Sequence, residues 1–162
     1  MKILKSLLPY IIILIIVVLI RTFIITPAVV NGDSMKDTLL DNEVVLVNKL
    51  YVNVSDIKRF DIVVINENGE HIVKRIIGLP GEKVEYKNNK LFINDKEVNS
   101  ELKFKDTEDF VYEKVESDKY FVLGDNREIS KDSRIIGTIN KEDIIGKVSI
   151  VLFPFTKFGV VK

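Results

Sequence analysis

Ser34 lies in Asn31-Gly32-Asp33-Ser34-Met35, a polar turn containing a glycine between the apolar runs Ala28-Val29-Val30 and Leu39-Leu40. The apolar flanks hold that turn at the edge of a packed element rather than on a free linker. A serine hydroxyl becomes a useful nucleophile only when a neighbouring base takes its proton. Lys74 is a candidate for that base. In a strand successive side chains alternate faces, so Ile72, Lys74 and Ile76 share one side while His71, Val73 and Arg75 share the other. An ammonium is costly on an apolar face, and burial pushes a lysine pKa down toward the range a general base needs. Each stretch also has a plainer reading. Gly-Asp-Ser is an ordinary turn sequence, and a lysine near a strand edge can extend into water. Arg75 reads as an ordinary ion-pair member, and His71 as a surface polar residue with no carboxylate placed to orient it. A third polar stretch, Gly124-Asp125-Asn126-Arg127 followed by Ser130, Asp132, Ser133 and Arg134, follows an apolar strand and taken alone is a loop braced by Asp–Arg pairs.

Composition removes several other chemistries. A chain of 162 residues suggests one domain with a real core. Lysine plus arginine and aspartate plus glutamate balance at 24 each, so no charge excess points to nucleic acid. Cysteine is absent, which excludes thiol catalysis, disulfides and cysteine-held metals, and a single histidine forms no zinc cluster. No cofactor is expected.

Two kinds of element must position the polar stretches. From Leu7 to Ile25 nearly every residue is apolar, long enough as a helix to span roughly 28 Å, close to a bilayer's hydrocarbon core. Lys2 and Lys5 precede it. The pattern predicts a single-pass anchor over residues 7–26 in a cell membrane, with residues 1–6 cytoplasmic and 27–162 extracytoplasmic. The rival, a cleaved signal peptide ending near Thr26-Pro27-Ala28, has too long an apolar region and a poorly placed proline. The lipid bilayer is therefore an expected partner.

Beyond Thr26, short β-branched runs recur between turn residues: Val44–Val47, Asp61–Ile65, His71–Ile77, Val84–Tyr86, Leu91–Ile93, Tyr120–Leu123 and Lys147–Phe153. Asn88-Asn89 reads as a tight hairpin turn and Asn94-Asp95 as the next turn. The fold class is mainly β: an N-terminal transmembrane helix, then an all-β domain of folded or open-barrel sheets, with no sizeable helix after the anchor. Residues 96–118, rich in charge, read as a solvated excursion or small subdomain. The run Ile150–Phe155 reads as a core strand with a partly exposed aromatic tip, too short and proline-broken for a second span.

Three stretches in order resemble the type I signal peptidases. The pattern Gly-Asp-Asn-Arg-x-x-Ser-x-Asp-Ser-Arg is matched at every defined position by residues 124–134. Lys-Arg-x-x-Gly-x-Pro-Gly is met by Lys74 to Gly81, and Ser34-Met35 with Thr38-Leu39 keeps the spacing of the nucleophile motif. Asp37 stands where that motif usually has proline. The resemblance implies Ser34 as nucleophile, Lys74 as general base and Ser130 as the hydroxyl orienting the amine. It implies Asp125, Arg75, Asp132 and Arg134 as the ion-paired scaffold. Gly32 stands where some relatives place an oxyanion-binding serine, so backbone N–H groups, Ser34's among them, are expected to take that role. The implied substrate is a secretory preprotein with small residues at −1 and −3, bound as an extended segment along a sheet edge. Met35 and Ile72 flank the dyad and are candidate pocket residues.

Two other classes use similar features. Self-cleaving repressor peptidases carry a Ser-Lys dyad on a β fold, but with a DNA-binding domain for which this chain has no room. A catalytically inactive, membrane-tethered β domain that binds partners is the remaining alternative. Oligomeric state is not readable from the sequence.

Overall fold

The computed structural model describes residues 2–99 and 106–161, with side chains from Leu7 onward. The apolar N-terminal run forms helix α1, Lys2–Phe23. Its apolar side chains point outward all round, Leu14 being 63% and Phe23 62% exposed. Among the described residues no helix is long and apolar enough to cross a membrane. The fold thus does not by itself show the expected anchor.

The helix also stops before residue 26. Strand β1, Ile25–Val29, takes over and pairs antiparallel with β2, Val44–Asn48. Lys49 fixes this switch, its backbone N–H donating to Ile24 O and its amine to Thr22 O. Pro27 fits because β1 is an edge strand, where a missing N–H is tolerated. A single turn, α2 (Leu50–Val54), leads toward β3, Ile62–Glu67, and β4, Glu70–Gly78. Asn68 and Gly69 join these strands at φ 52° and 90°, the geometry of a tight Asn-Gly hairpin.

After β4 the chain leaves to build a second sheet. It comprises β5 (Val84–Lys87), β6 (Lys90–Ile93), β7 (Lys96–Glu97) and β8 (Phe110–Tyr112) in the order β7-β6-β5-β8. Asn88-Asn89 and Asn94-Asp95 make its turns, all four residues at positive φ, as their sequence suggests. The excursion expected over 96–118 therefore belongs to a larger unit that starts at β5, and residues 100–105 lie outside the described residues.

The chain returns through β9 (Lys119–Leu123), the single turn α3 (Ser133–Ile136), β10 (Ile139–Asn140), β11 (Ile144–Phe153) and β12 (Gly159–Val160). The larger sheet runs β1-β2-β11-β3-β4-β9-β10, with β12 on β11. Its apolar residues fall into two clusters, one around Met35, Leu39, Val45 and Val64, the other around Val63, Ile65, Ile76 and Val122. A third cluster, Ile77, Val84, Tyr86 and Phe121 among others, glues the smaller sheet on. Each fully buried Val, Leu, Ile or Phe contributes about 1.5–3 kcal/mol. Phe153 is half exposed and Phe155 81% exposed, an aromatic tip beyond the strand.

Candidate active site

The turn carrying Ser34 is built from both ends. Val30 N–H donates to Glu43 O and Asn42 N–H returns to Val30 O, both at 2.8 Å, closing the loop at its base. At the other end Leu39 N–H donates to Met35 O at 2.8 Å, a single helical turn. Met35 and Leu39, 1% and 0% exposed, plug that turn into the core. Gly32 sits at φ 88° and gives its N–H to Asp41 Oδ1 at 2.7 Å. Among the described residues the Ser34 N–H donates to no backbone carbonyl.

Lys74 approaches from β4. Its side chain is 3% exposed, and Nζ lies 2.8 Å from Ser34 Oγ and 3.1 Å from Val73 O. Burial pushes its pKa below the ordinary 10.5, while Asp132 and Asp125 act in the opposite direction. A lysine so placed has a larger neutral fraction than one in water, and a neutral amine has a lone pair that can accept a hydroxyl proton.

Arg75, one residue on, is an ion-pair member, and a buried one. It is 1% exposed and grips Asp125 with two parallel bonds, Nε to Oδ1 at 2.9 Å and Nη2 to Oδ2 at 2.7 Å. Both faces of β4 are covered here. Thr38 Oγ1 donates to Asp125 Oδ2 at 2.5 Å, and Arg75 Nη1 reaches Phe60 O at 2.9 Å. The ion pair thus joins β4, the turn of Ser34 and the loop after β9.

That loop has its own brace. Asp132 caps α3 and takes Arg134 Nε on Oδ1 and Nη2 on Oδ2, each at 2.9 Å. Its Oδ2 also accepts Gly124 N–H at 3.1 Å. Asn126 N–H donates to Ser34 O, and Asn126 Nδ2 donates to Asp33 O at 3.1 Å. Arg127 Nε bonds Gly124 O at 3.0 Å, while Nη1 reaches Thr107 Oγ1 at 2.9 Å.

Ser130 lies beside the Ser34 turn without the expected bond to the amine. Its Oγ is buried and has no hydrogen-bond partner among the described residues, so the expected bond to the Lys74 amine is not formed. The amine's bonds go to Ser34 and Val73, and Ser130 instead packs over Gly124. Met35 and Ile72, the candidate pocket residues, are both packed against apolar clusters. A cleft of about 440 Å³ is lined by Pro27, Ala28, Val29, Val45, Val73 and His71 among others, and neither Met35 nor Ile72 lines it. Met35 is core, and Ile72 packs with the cluster around Val63 and Ile76.

Thr38, Asn126 and Arg127 carry contacts that sequence reasoning assigned to no role. All three lie inside the quoted motifs, but their partners are 87, 93 and 20 residues away, which no local pattern reveals.

An antiparallel β fold that sets a serine hydroxyl against a buried lysine amine is an arrangement suited to peptide-bond hydrolysis. A family model described as signal peptidase, peptidase S26, matches residues 3–153. The chain belongs to this family and is a signal peptidase enzyme. It is 48% identical over 158 residues to signal peptidase I P of Bacillus subtilis subsp. natto, covering 89% of this chain and 85% of that protein. Signal peptidase I of Bacillus amyloliquefaciens is 46% identical over 164 residues, covering 94% and 89%. A crystal structure of a signal peptidase I from Enterococcus faecalis V583 superposes with a TM-score of 0.54 at 33% identity, covering 59% of this chain and 99% of that one.

Proposed function

We propose that this enzyme removes signal peptides from secreted preproteins with Ser34 as nucleophile and Lys74 as general base. The observation that carries the reading is the 2.8 Å approach of the buried Lys74 Nζ to Ser34 Oγ. The neutral amine accepts the hydroxyl proton as Oγ attacks the scissile carbonyl carbon. The oxyanion that forms is met by the Ser34 N–H, which the fold leaves unspent. Lys74, now an ammonium, hands its proton to the departing amine of the mature chain, leaving the signal peptide as an ester on Ser34. A water molecule, deprotonated by the same amine, then hydrolyses that ester. Arg75, Asp125, Asp132 and Arg134 hold the reacting groups in register, and Ser130 stands beside them.

The cleft lined by Val73, the chain neighbour of Lys74, is consistent with a preference for small residues at −1 and −3. Its apolar lining of Ala28, Val29, Val45 and Val73 leaves shallow space. β9 pairs with β4 only from Arg75 onward, so β4 offers an open edge over Glu70–Lys74, and β1 is itself an edge strand. An extended substrate segment can pair there. Membrane anchoring through the apolar part of α1 is supported by its outward apolar side chains, and Lys2 and Lys5 ahead of it favour a β domain outside the cytoplasm. The lipid bilayer and the preprotein are the partners of this reading.

The test is cleavage of a purified preprotein by the full chain in detergent. Sequencing should find the new N-terminus after a small residue, and Ser34→Ala should abolish the product. Undiminished cleavage by Ser34→Ala would remove the dyad from the mechanism.

A further inference from the structure

A second groove, of about 460 Å³, opens on the other side of the loop after β9, lined by Asp106, Glu108, Arg127, Glu128, Ser130 and Arg134, with the exposed Ile135 at its rim. One of its lining residues, Ser130, packs beside the turn that carries Ser34. A Cβ on Gly124 would stand 2.2 Å from Ser130 Oγ and 2.5 Å from Ser34 O, so those two oxygens lie within about 5 Å of each other. The Ser130 hydroxyl, 4% exposed as a residue and without a partner among the described residues, is an unmet hydrogen bond at the groove's inner end.

Carboxylates outnumber guanidinium groups in this lining by three to two. Both arginines turn their guanidinium groups inward, Arg134 onto Asp132 and Arg127 O, Arg127 onto Gly124 O and Thr107. Asp106, Glu108 and Glu128 are exposed, and among the described residues none of the three has an ion-pair partner. The exposed charges offered to a ligand are therefore mainly carboxylates, with Glu108 also acting on Arg134. In the peptidase reading the cleft at Ala28, Val45 and Val73 takes the residues before the scissile bond, so the chain leaving Ser34 needs a separate path. We propose that the groove is the subsite for the first residues of the mature chain, and that Glu108 and Glu128 favour basic side chains there over acidic ones. This rests on the peptidase reading above.

The experiment uses three preproteins sharing one signal peptide, with Lys, Gln or Glu at the second and third mature positions, cleaved by the full chain in detergent. At low ionic strength kcat/KM should favour Lys over Glu by about three- to tenfold, the sum of a few weak surface charge contacts. The ratio should shrink as salt rises. In Glu108→Lys/Glu128→Lys it should flatten or invert, read for each enzyme relative to its own rate on the Gln preprotein; Glu128→Gln alone should give an intermediate ratio. A Lys-to-Glu ratio identical in the parent and the double variant overturns the subsite. Equal rates for all three preproteins overturn it too, while leaving the peptidase reading in place. Cleavage of none of them overturns both.

Discussion

Asn126 donates its backbone N–H to the carbonyl of Ser34 at 3.0 Å, so the turn that presents the hydroxyl and the loop after β9 move as one piece. Gly124 is the floor of that junction, with Ser130 Oγ and Ser34 O both closer to its Cα hydrogens than any side chain would allow.

Gly124→Ala should therefore push the two loops apart. A Cβ at 2.2 Å from Ser130 Oγ and 2.5 Å from a backbone oxygen has no room, since the second contact cannot swing away. Cleavage should fall about 100-fold, the scale expected for reacting groups misplaced by an ångström, with circular dichroism still reporting the β fold. Wild-type activity in this variant would show that the junction does not set the geometry.

Removing one half of the Arg75–Asp125 pair should be expensive. Asp125→Ala leaves a guanidinium that is 1% exposed facing an empty site. Breaking such a buried pair costs about 3–5 kcal/mol, which a denaturant titration will register as a large drop in midpoint. A change under about 1 kcal/mol would mean that water enters and solvates Arg75.

Lys74 ties activity and stability to pH in the same direction. Its folded pKa is lowered below 10.5 by burial, so between that lowered value and 10.5 the unfolded chain binds the extra proton. Stability should rise with pH across that window and be lost as pH falls toward the folded value. Activity should rise with pH along one ionisation below 10.5. Lys74→Met should be inactive yet melt higher than the parent at neutral pH, the difference shrinking on the alkaline side. Lys74→Arg should be inactive because guanidinium stays protonated. Retained activity in Lys74→Arg would exclude Lys74 as the base.

Asp37 stands at φ 93°, a conformation no proline can adopt. Where the family's usual proline gives a rigid turn, this chain uses a left-handed residue, so Asp37→Pro should destabilise the loop and lower activity. Asp37→Gly should instead add about 0.5–1 kcal/mol of stability by relieving the positive φ. Thermal melts of the two variants shifting in the same direction would contradict this backbone.

Local chemistry made the hairpin turns legible from sequence, because Asn88-Asn89 and Asn94-Asp95 are residues that tolerate positive φ. The strands were legible from β-branched runs, and the mainly β class followed. The limits were non-local. Helix α1 gives way to β1 at Ile25 because Lys49, in a different element, satisfies the carbonyls at its end. The alternation of β4 suggested one apolar and one polar face, yet the polar-looking face is sealed by Asp125, Thr38 and Phe60 O. Ser130 illustrates the same limit, since a motif position fixes where a hydroxyl lies but not which of its neighbours it bonds.

The smaller sheet departs from the end of β4 and returns into β9, and β4 and β9 are hydrogen-bonded neighbours. Its two stems therefore enter and leave the larger sheet side by side, like a branch grafted at one node. Such an insertion can grow, shrink or be exchanged without altering the strand order beneath it. What travels with it is the support of Arg127, which stacks 4.8 Å over Tyr86 and bonds Thr107 before reaching Gly124 O. Changes in this branch thus reach the Ser34 junction through this guanidinium as well as through the packing on Phe121 and Leu123, and chimeras that swap the branch should keep their geometry when the incoming piece supplies a ring and a hydroxyl to receive it.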